Sequence, residues 1–326
     1  MVRTALRIAR CLPDGFLAEA LRADARAGLI ASPKVLPSKW NYDERGSELF
    51  EKITQLDDYY PTRAERSILR ARAGEIAATT GARTLIELGA GAADKTRLLL
   101  DALRARGTLA SFVPVDVSEA ALVEAARRVA EEYPGLSVTA VVSDFEQYLG
   151  LPRDHGGARL VGFLGSTIGN LLPGQRAAFM ASLRSRLRPG DAFLLGTDLV
   201  KDPAVLVAAY DDAAGVSAAF SKNILSVLNA SLGADFHLDA FGRVVVWDAN
   251  HEWIEVRLRS LRDQVVTLPE IDLVVEFAQG EEMLTQVSAK FRREGIAAEL
   301  AASGFAMRSW WTDDGGQFGL SLSAPA

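Results

Sequence analysis

From Thr84 onward, short apolar runs alternate with amphipathic stretches, a pattern that predicts a parallel sheet covered by helices on both faces. The runs that read as strands are 84–88, 112–115, 138–142, 160–164 and 192–195. Helical periodicity lies between them at 95–106, 119–133 and 175–187, the last stopped by Pro189-Gly190. Past Asp198 the pattern changes. Residues 203–210 and 216–232 read as helices, whereas 244–247, 253–258, 264–268 and 271–277 alternate like antiparallel strands. The earlier theme then resumes with a helix over 296–303 closed by Gly304, and with 307–311 and 318–322 flanking the turn-rich 312–317 as a hairpin. Residues from about 201 to 290 are therefore expected to be an insertion into one α/β domain. The first sixty or so, helical at 15–28 and then irregular around Pro33, Pro37 and Pro61, are expected to join that insertion as a cap over the sheet. No internal repeat or low-complexity segment interrupts this reading.

Composition narrows the function classes. The 326 residues carry 36 basic and 42 acidic side chains, a net charge of −6, which argues against a surface built to neutralise phosphates. Nucleic acid is an unexpected partner. With 49% apolar and 24% charged residues, and no uninterrupted apolar stretch of about eighteen residues, the chain reads as soluble and globular, with no membrane partner. Cys11 is the lone cysteine and the opening residues lack a secretory apolar core, so a cytoplasmic setting is expected. His155, His237 and His251 are scattered, without the paired spacing of metal ligands, and no metal is expected.

The candidate chemistry sits where the runs end. The first leads straight into Gly89-Ala90-Gly91-Ala92-Ala93-Asp94-Lys95 and then a helix. Glycines there let the backbone approach a ligand, and the helix start offers unpaired N–H groups to an anion. A dinucleotide fingerprint would place glycine or alanine where Asp94 stands, which counts against an NAD-type oxidoreductase. The second run ends in Asp116, placed to accept both hydroxyls of a ribose. The third ends in Asp144-Phe145, an acceptor for an adenine amino group and a ring to cover a base. The fourth ends in Gly165-Ser166-Thr167-Ile168-Gly169-Asn170. Singly, the two glycines need be no more than a turn and Asp116 no more than a helix cap. Four neighbouring strands ending this way at the ligand-binding edge form a far more specific pattern.

Jointly these features resemble a class I S-adenosylmethionine methyltransferase, through Glu87-Leu88-Gly89-Ala90-Gly91, the acid after the second strand, the Asp-Phe after the third, and the closing helix and hairpin. The resemblance covers about 84–200 and 291–326. It implies an α/β fold with a doubly wound, mainly parallel sheet, an inserted α+β substrate-binding domain, and S-adenosylmethionine as cofactor. An inactive homologue would show a damaged 89–91 loop or lack Asp116, and neither is seen.

The strings KWNYDERGSELFEKIT, YYPTRAE, ELGAGAADKTR, FLGSTIGN, AYDDAAGVSAAF, GEEMLTQVSAKF and WWTDDGGQFGLSL sharpen the match. Over nearly the whole chain they resemble the histidine Nα-methyltransferase family of ergothioneine biosynthesis, which trimethylates the α-amine of L-histidine to a betaine without a metal. The resemblance implies a methyltransferase domain at 64–200 and 291–326 and a substrate-binding cap at 10–63 and 201–290. The cofactor would then meet Gly89, Gly91, Lys95, Asp116, Asp144, Phe145 and Gly165. The amino acid would meet Phe50, Tyr59, Asn170, Tyr210, Ser217, Val256, Gln286 and Ser288, with Tyr42 and Asn170 the candidates for orienting the amine or relaying its proton. Two positions depart from the family. Gln286 stands where the histidine enzymes carry a glutamate that can pair with imidazole, and Val256 where they carry a methionine. A neutral amide gives up the charge-assisted bond, and valine shortens the wall. Both changes favour a larger, aromatic substrate such as L-tryptophan, with L-histidine the close alternative. A monomer acting on a free small molecule is expected.

Overall fold

A computed structural model of the chain describes residues 6–145, 149–151 and 156–326. His155 lies outside the described residues. In chain order the elements begin with strand β1 (Leu6–Arg10), helix α1 (Phe16–Ile30), the two-residue strand β2 (Lys34–Val35), and helices α2 (Glu44–Ile53) and α3 (Tyr60–Thr80). The alternating stretch follows as β3 (Thr84–Leu88), α4 (Arg97–Ala105), β4 (Ser111–Asp116), α5 (Glu119–Glu132), β5 (Ser137–Val142), β6 (Arg159–Phe163), α6 (Pro173–Arg186) and β7 (Ala192–Asp198). Then come α7 (Pro203–Tyr210), α8 (Val216–Leu232), β8 (Phe241–Asp248), β9 (Trp253–Ser260), β10 (Gln264–Leu268), β11 (Leu273–Phe277) and β12 (Glu282–Ala289). Helix α9 (Arg293–Ala302) and strands β13 (Phe305–Thr312) and β14 (Phe318–Pro325) complete the order. The chain divides into two compact units, one from Met1–Leu12, Pro61–Val200 and Lys290–Ala326, the other from Pro13–Tyr60 and Lys201–Ala289.

Among the described residues, unit 1 holds one eight-stranded sheet in the order β1-β5-β4-β3-β6-β7-β14-β13. Pairing is parallel from β1 through β7, and β14 runs antiparallel to both β7 and β13. This is the doubly wound, mainly parallel sheet that the sequence pattern predicts. Strands buried on both faces are mostly apolar, and every residue of β3 and β6 is buried. Phe112, Phe163, Phe193, Phe305 and Phe318 fill the layers on either side. Strand β1 had no signature in the hydropathy pattern because its side chains are only partly covered at the sheet edge. It pairs with β5 rather than joining the residues that follow it. The crossover reverses at β3, which has β4 on one side and β6 on the other, so the loops leaving β3 and β6 open the crevice where such sheets bind ligands.

Unit 2 contains a four-stranded sheet, β2-β12-β9-β8, and the two-stranded ribbon β10-β11. Leu225, Leu228 and Leu232 of α8 share one apolar cluster with Leu21 and Leu29 of α1 and with Phe241, Leu258, Phe277 and Met283 from the strands. Strand β12 escapes an alternation test for a local reason. Its register slips between Leu284 and Gln286, so Thr285 is an extra residue that switches the phase of the inward-facing positions. Helix α2 was likewise hidden among the prolines and charges of the first sixty residues. Asp43 starts it by accepting the Gly46 N–H at 2.7 Å, the bond an N-cap supplies. No helix of the described residues is long and apolar enough to cross a membrane.

Candidate functional site

The donor half is built at the end of β3. Gly89, Gly91 and Ala93 all have positive φ, at 66°, 48° and 55°, and Ala93 donates to the Ala90 carbonyl at 2.8 Å. A side chain at Gly91 would have nothing within 4 Å, so the main chain here borders open space of the kind a ligand fills. At the end of β4, Asp116 accepts the Gly91 N–H at 3.1 Å and the Ser118 N–H at 3.0 Å. Burial raises the pKa of this carboxyl, against the pull of those N–H groups. Asp144 is buried where β5 ends, and the half-buried Phe145 ring stands edge-on to Phe163 at 5.1 Å. Gly165, with φ of 74°, opens the loop after β6, and the 3-10 turn Thr167–Asn170 places Asn170. Open main chain, a carboxylate and a ring stand at three adjacent strand ends, groups of the kind that an adenosyl moiety and its methionyl tail require.

Two residues of this half went unnoticed in the sequence. Glu65 of α3 is buried and accepts the Gly165 N–H through both carboxylate oxygens at 2.9 Å, while also forming an ion pair with Lys95. Glu87, in the middle of β3, takes a hydrogen bond from Thr96, and burial pushes its carboxyl up to about 8. A glutamate in a helix reads as a solvated face, so only the fold reveals Glu65 at the strand ends.

The remaining candidates lie in unit 2, where an aromatic chain links most of them. Tyr42 meets Phe50 edge-on at 5.5 Å, Phe50 meets Tyr59 at 6.2 Å, and Tyr59 meets Tyr210 at 6.2 Å. Phe220 of α8, absent from the sequence reading, packs at 5.2 Å from Tyr42 and 5.8 Å from Phe50. The Tyr210 hydroxyl lies 2.8 Å from the Ser288 Oγ. Ser217 is buried in the first turn of α8 and donates its N–H to Asp212 at 2.7 Å. Burial works to raise the Asp212 pKa, but hydrogen bonds from the Ser217 side chain and main chain and from Val216 outweigh it, holding the carboxyl below its ordinary range. Val256 of β9 and Gln286 of β12 are direct partners across an antiparallel pair, which puts both side chains on one face.

Tyr42 owes its place to its neighbours in sequence. Asn223 of α8 donates from Nδ2 to the Asn41 carbonyl at 3.1 Å and to the Asp43 carboxylate at 2.6 Å, while Asn41 accepts the Ile224 N–H at 3.1 Å. The residues on both sides of Tyr42 are thereby tied to one helix. Gly46 completes the turn, since a Cβ there would overlap the Asn41 carbonyl oxygen.

A family profile described as "Histidine-specific methyltransferase, SAM-dependent" matches residues 21–325. The chain belongs to this family. As a member it is an S-adenosylmethionine-dependent N-methyltransferase, with the cofactor that the sheet edge fits. The histidine N-alpha-methyltransferase of Mycolicibacterium smegmatis is 55% identical over 319 residues, covering 98% of this chain and 99% of that one. The enzyme of the same name from Mycobacterium tuberculosis is 55% identical over 306 residues, covering 94% and 95%. An L-tryptophan methyltransferase of Psilocybe serbica is 27% identical over 334 residues, covering 92% and 91%. These relatives favour the histidine alternative over the tryptophan preference inferred from Gln286 and Val256.

Proposed function

We propose that this chain methylates the α-amine of free L-histidine, up to the trimethylated betaine. The observation that carries the reading is 55% identity to two histidine N-alpha-methyltransferases over almost the full length of each. In this reading Gly89, Gly91, Lys95, Asp116, Asp144, Phe145 and Gly165 hold the donor, and unit 2 holds the amino acid. When bound, S-adenosylmethionine supplies an electrophilic methyl group on sulfur. The chain's own work is alignment and exclusion of water, since positioning alone lowers such a barrier by about 7 to 11 kcal/mol in favourable intramolecular cases.

An ammonium has no lone pair, so the acceptor must enter transfer as the neutral amine. Tyr210 donates to the α-carboxylate, and the Tyr210–Ser288 hydroxyl pair passes donor character along without a formal charge. Tyr42 orients the amine or relays its proton, within a run of aromatic rings that stabilises the growing quaternary ammonium by about 0.5 to 2 kcal/mol per good pair. Gln286 hydrogen-bonds the imidazole as a neutral partner. The reading extends to a cytoplasmic monomer, for which the lone cysteine is the support.

A second reading, an aromatic acceptor such as L-tryptophan, draws on the pairing of Gln286 with Val256, which leaves the shared face neutral and short-walled. Steady-state assays with each of the twenty amino acids, scored by product mass, decide between them. The higher kcat/KM is expected for histidine. A clear preference for tryptophan replaces the first reading with the second.

A further inference from the structure

We propose that Glu65 is a positioning residue of the donor site, fixing the Lys95 ammonium and the Gly165 main chain where they meet S-adenosylmethionine. The proposal rests on the assignment of Lys95 and Gly165 to the donor. Its ground is a convergence of two strand ends and a third strand of unit 1 on one carboxylate. Lys95 comes from the loop after β3, Gly165 follows β6, and Gly196 lies within β7. Glu65 reaches them from α3 with its side chain at 0% exposure.

Each contact shows that the place was made for an acid. The Gly165 N–H is shared between both carboxylate oxygens, at 2.9 Å each. Lys95 pairs with Oε2 while its own side chain stays 18% exposed, unlike the fully buried Glu65. Gly196 has no side chain because a Cβ would overlap Oε1 of Glu65. A Cβ at Gly165 would lie 3.5 Å from the Lys95 Nζ, so the bare main chain and the ammonium border the same small space.

Stability alone does not account for this pair. Buried ion pairs rarely outperform apolar packing of the same volume, because desolvation offsets the attraction. What the pair does supply is direction. Lys95 is a point charge on a flexible stem with several rotamers. Tethered to a solvent-free carboxylate, its ammonium is held in one place beside the Gly165 main chain, ready for the carboxylate of the donor's methionyl tail. Glu65 itself, closed off behind Lys95 and Gly165, acts through them.

The test is calorimetric binding of S-adenosylhomocysteine to the full chain, in wild type, Glu65→Gln, Lys95→Met and the double variant, with folding checked by circular dichroism. Glutamine keeps an acceptor for the Gly165 N–H and removes the charge that orders Lys95. Both single variants are expected to weaken binding by about tenfold, one charge-assisted contact's worth. The double variant is expected to bind within about twofold of Lys95→Met, because Glu65 has nothing further to hold once the ammonium is gone. The KM for the amino acid should stay at the wild-type value. Glu65→Gln binding like wild type overturns the proposal, as do losses that multiply in the double variant. If Glu65→Gln does not fold, Glu65→Asp, which withdraws the charge by one methylene, must show the same loss. Wild-type affinity in Lys95→Met would remove the assignment beneath the proposal, whereas absence of binding to wild type would remove the donor site itself.

Discussion

Val256 and Gln286 face one another as partners in the β9–β12 ladder, so the two positions that depart from the histidine enzymes form a single surface. Substituting both should therefore act on specificity together. Gln286→Glu with Val256→Met is expected to raise the ratio of kcat/KM for histidine over tryptophan by about tenfold, with more than the sum of the single effects because the two side chains are cross-strand neighbours. Competition assays with both amino acids in one vessel measure the ratio directly.

The Tyr210–Ser288 hydroxyl contact should be read out by the acceptor alone. Tyr210→Phe removes a hydrogen bond of about 1 kcal/mol and leaves Ser288 with a vacant partner, so the KM for the amino acid should rise by about fivefold to tenfold. Calorimetry with S-adenosylhomocysteine should return the wild-type affinity, since both residues belong to unit 2.

Tyr42 and Asn223 form a linked pair of predictions. Tyr42→Phe should slow transfer while donor affinity stays unchanged. Asn223→Ala should slow it as well without touching the tyrosine, because the Asn41 carbonyl and the Asp43 carboxylate, on either side of Tyr42, both lose the amide that ties them to α8. It should also cost about 1 to 3 kcal/mol of stability, by stranding the buried Asn41 carbonyl, and a urea titration would show that loss.

Glu87 makes stability depend on pH in an uncommon direction. Its carboxyl titrates near 8 in the folded chain against an ordinary value of 4.5, so between those limits the folded state holds a proton that the unfolded chain has released. Stability contributed by this group is present below about 4.5 and is lost as pH rises towards about 8. Glu87→Gln, neutral at every pH, should melt several degrees above wild type at pH 8 and close to it at pH 5. Parallel melts at the two pH values check it.

Much of this was legible in the chain. The parallel strands announce themselves because burial on both faces makes their runs mostly apolar, and α7 and α8 begin and end where their periodicity begins and ends. Residues with one environment were found by pattern, whereas residues whose role depends on distant partners were not. Glu65 looks like any helical glutamate until Gly165, a hundred positions away, donates to it. Asn223 gains its meaning from Asn41 and Asp43, and β12 is disguised by the extra residue at Thr285. The glycines at 46 and 196 carry no signal of their own, since each is required by the atom that would otherwise strike it.

The position of β14 also bears on how the molecule reaches its final state. Residues 318–325 lie inside the large sheet, between β7 and β13, although they come after every other strand in chain order. A ribosome must therefore deliver every other described strand before the rim of β7 finds its permanent neighbour. Until then that rim is a sticky ladder of bare amides, and chaperone demand during synthesis should concentrate there. Removing those eight residues would excise an interior stave rather than trim an end.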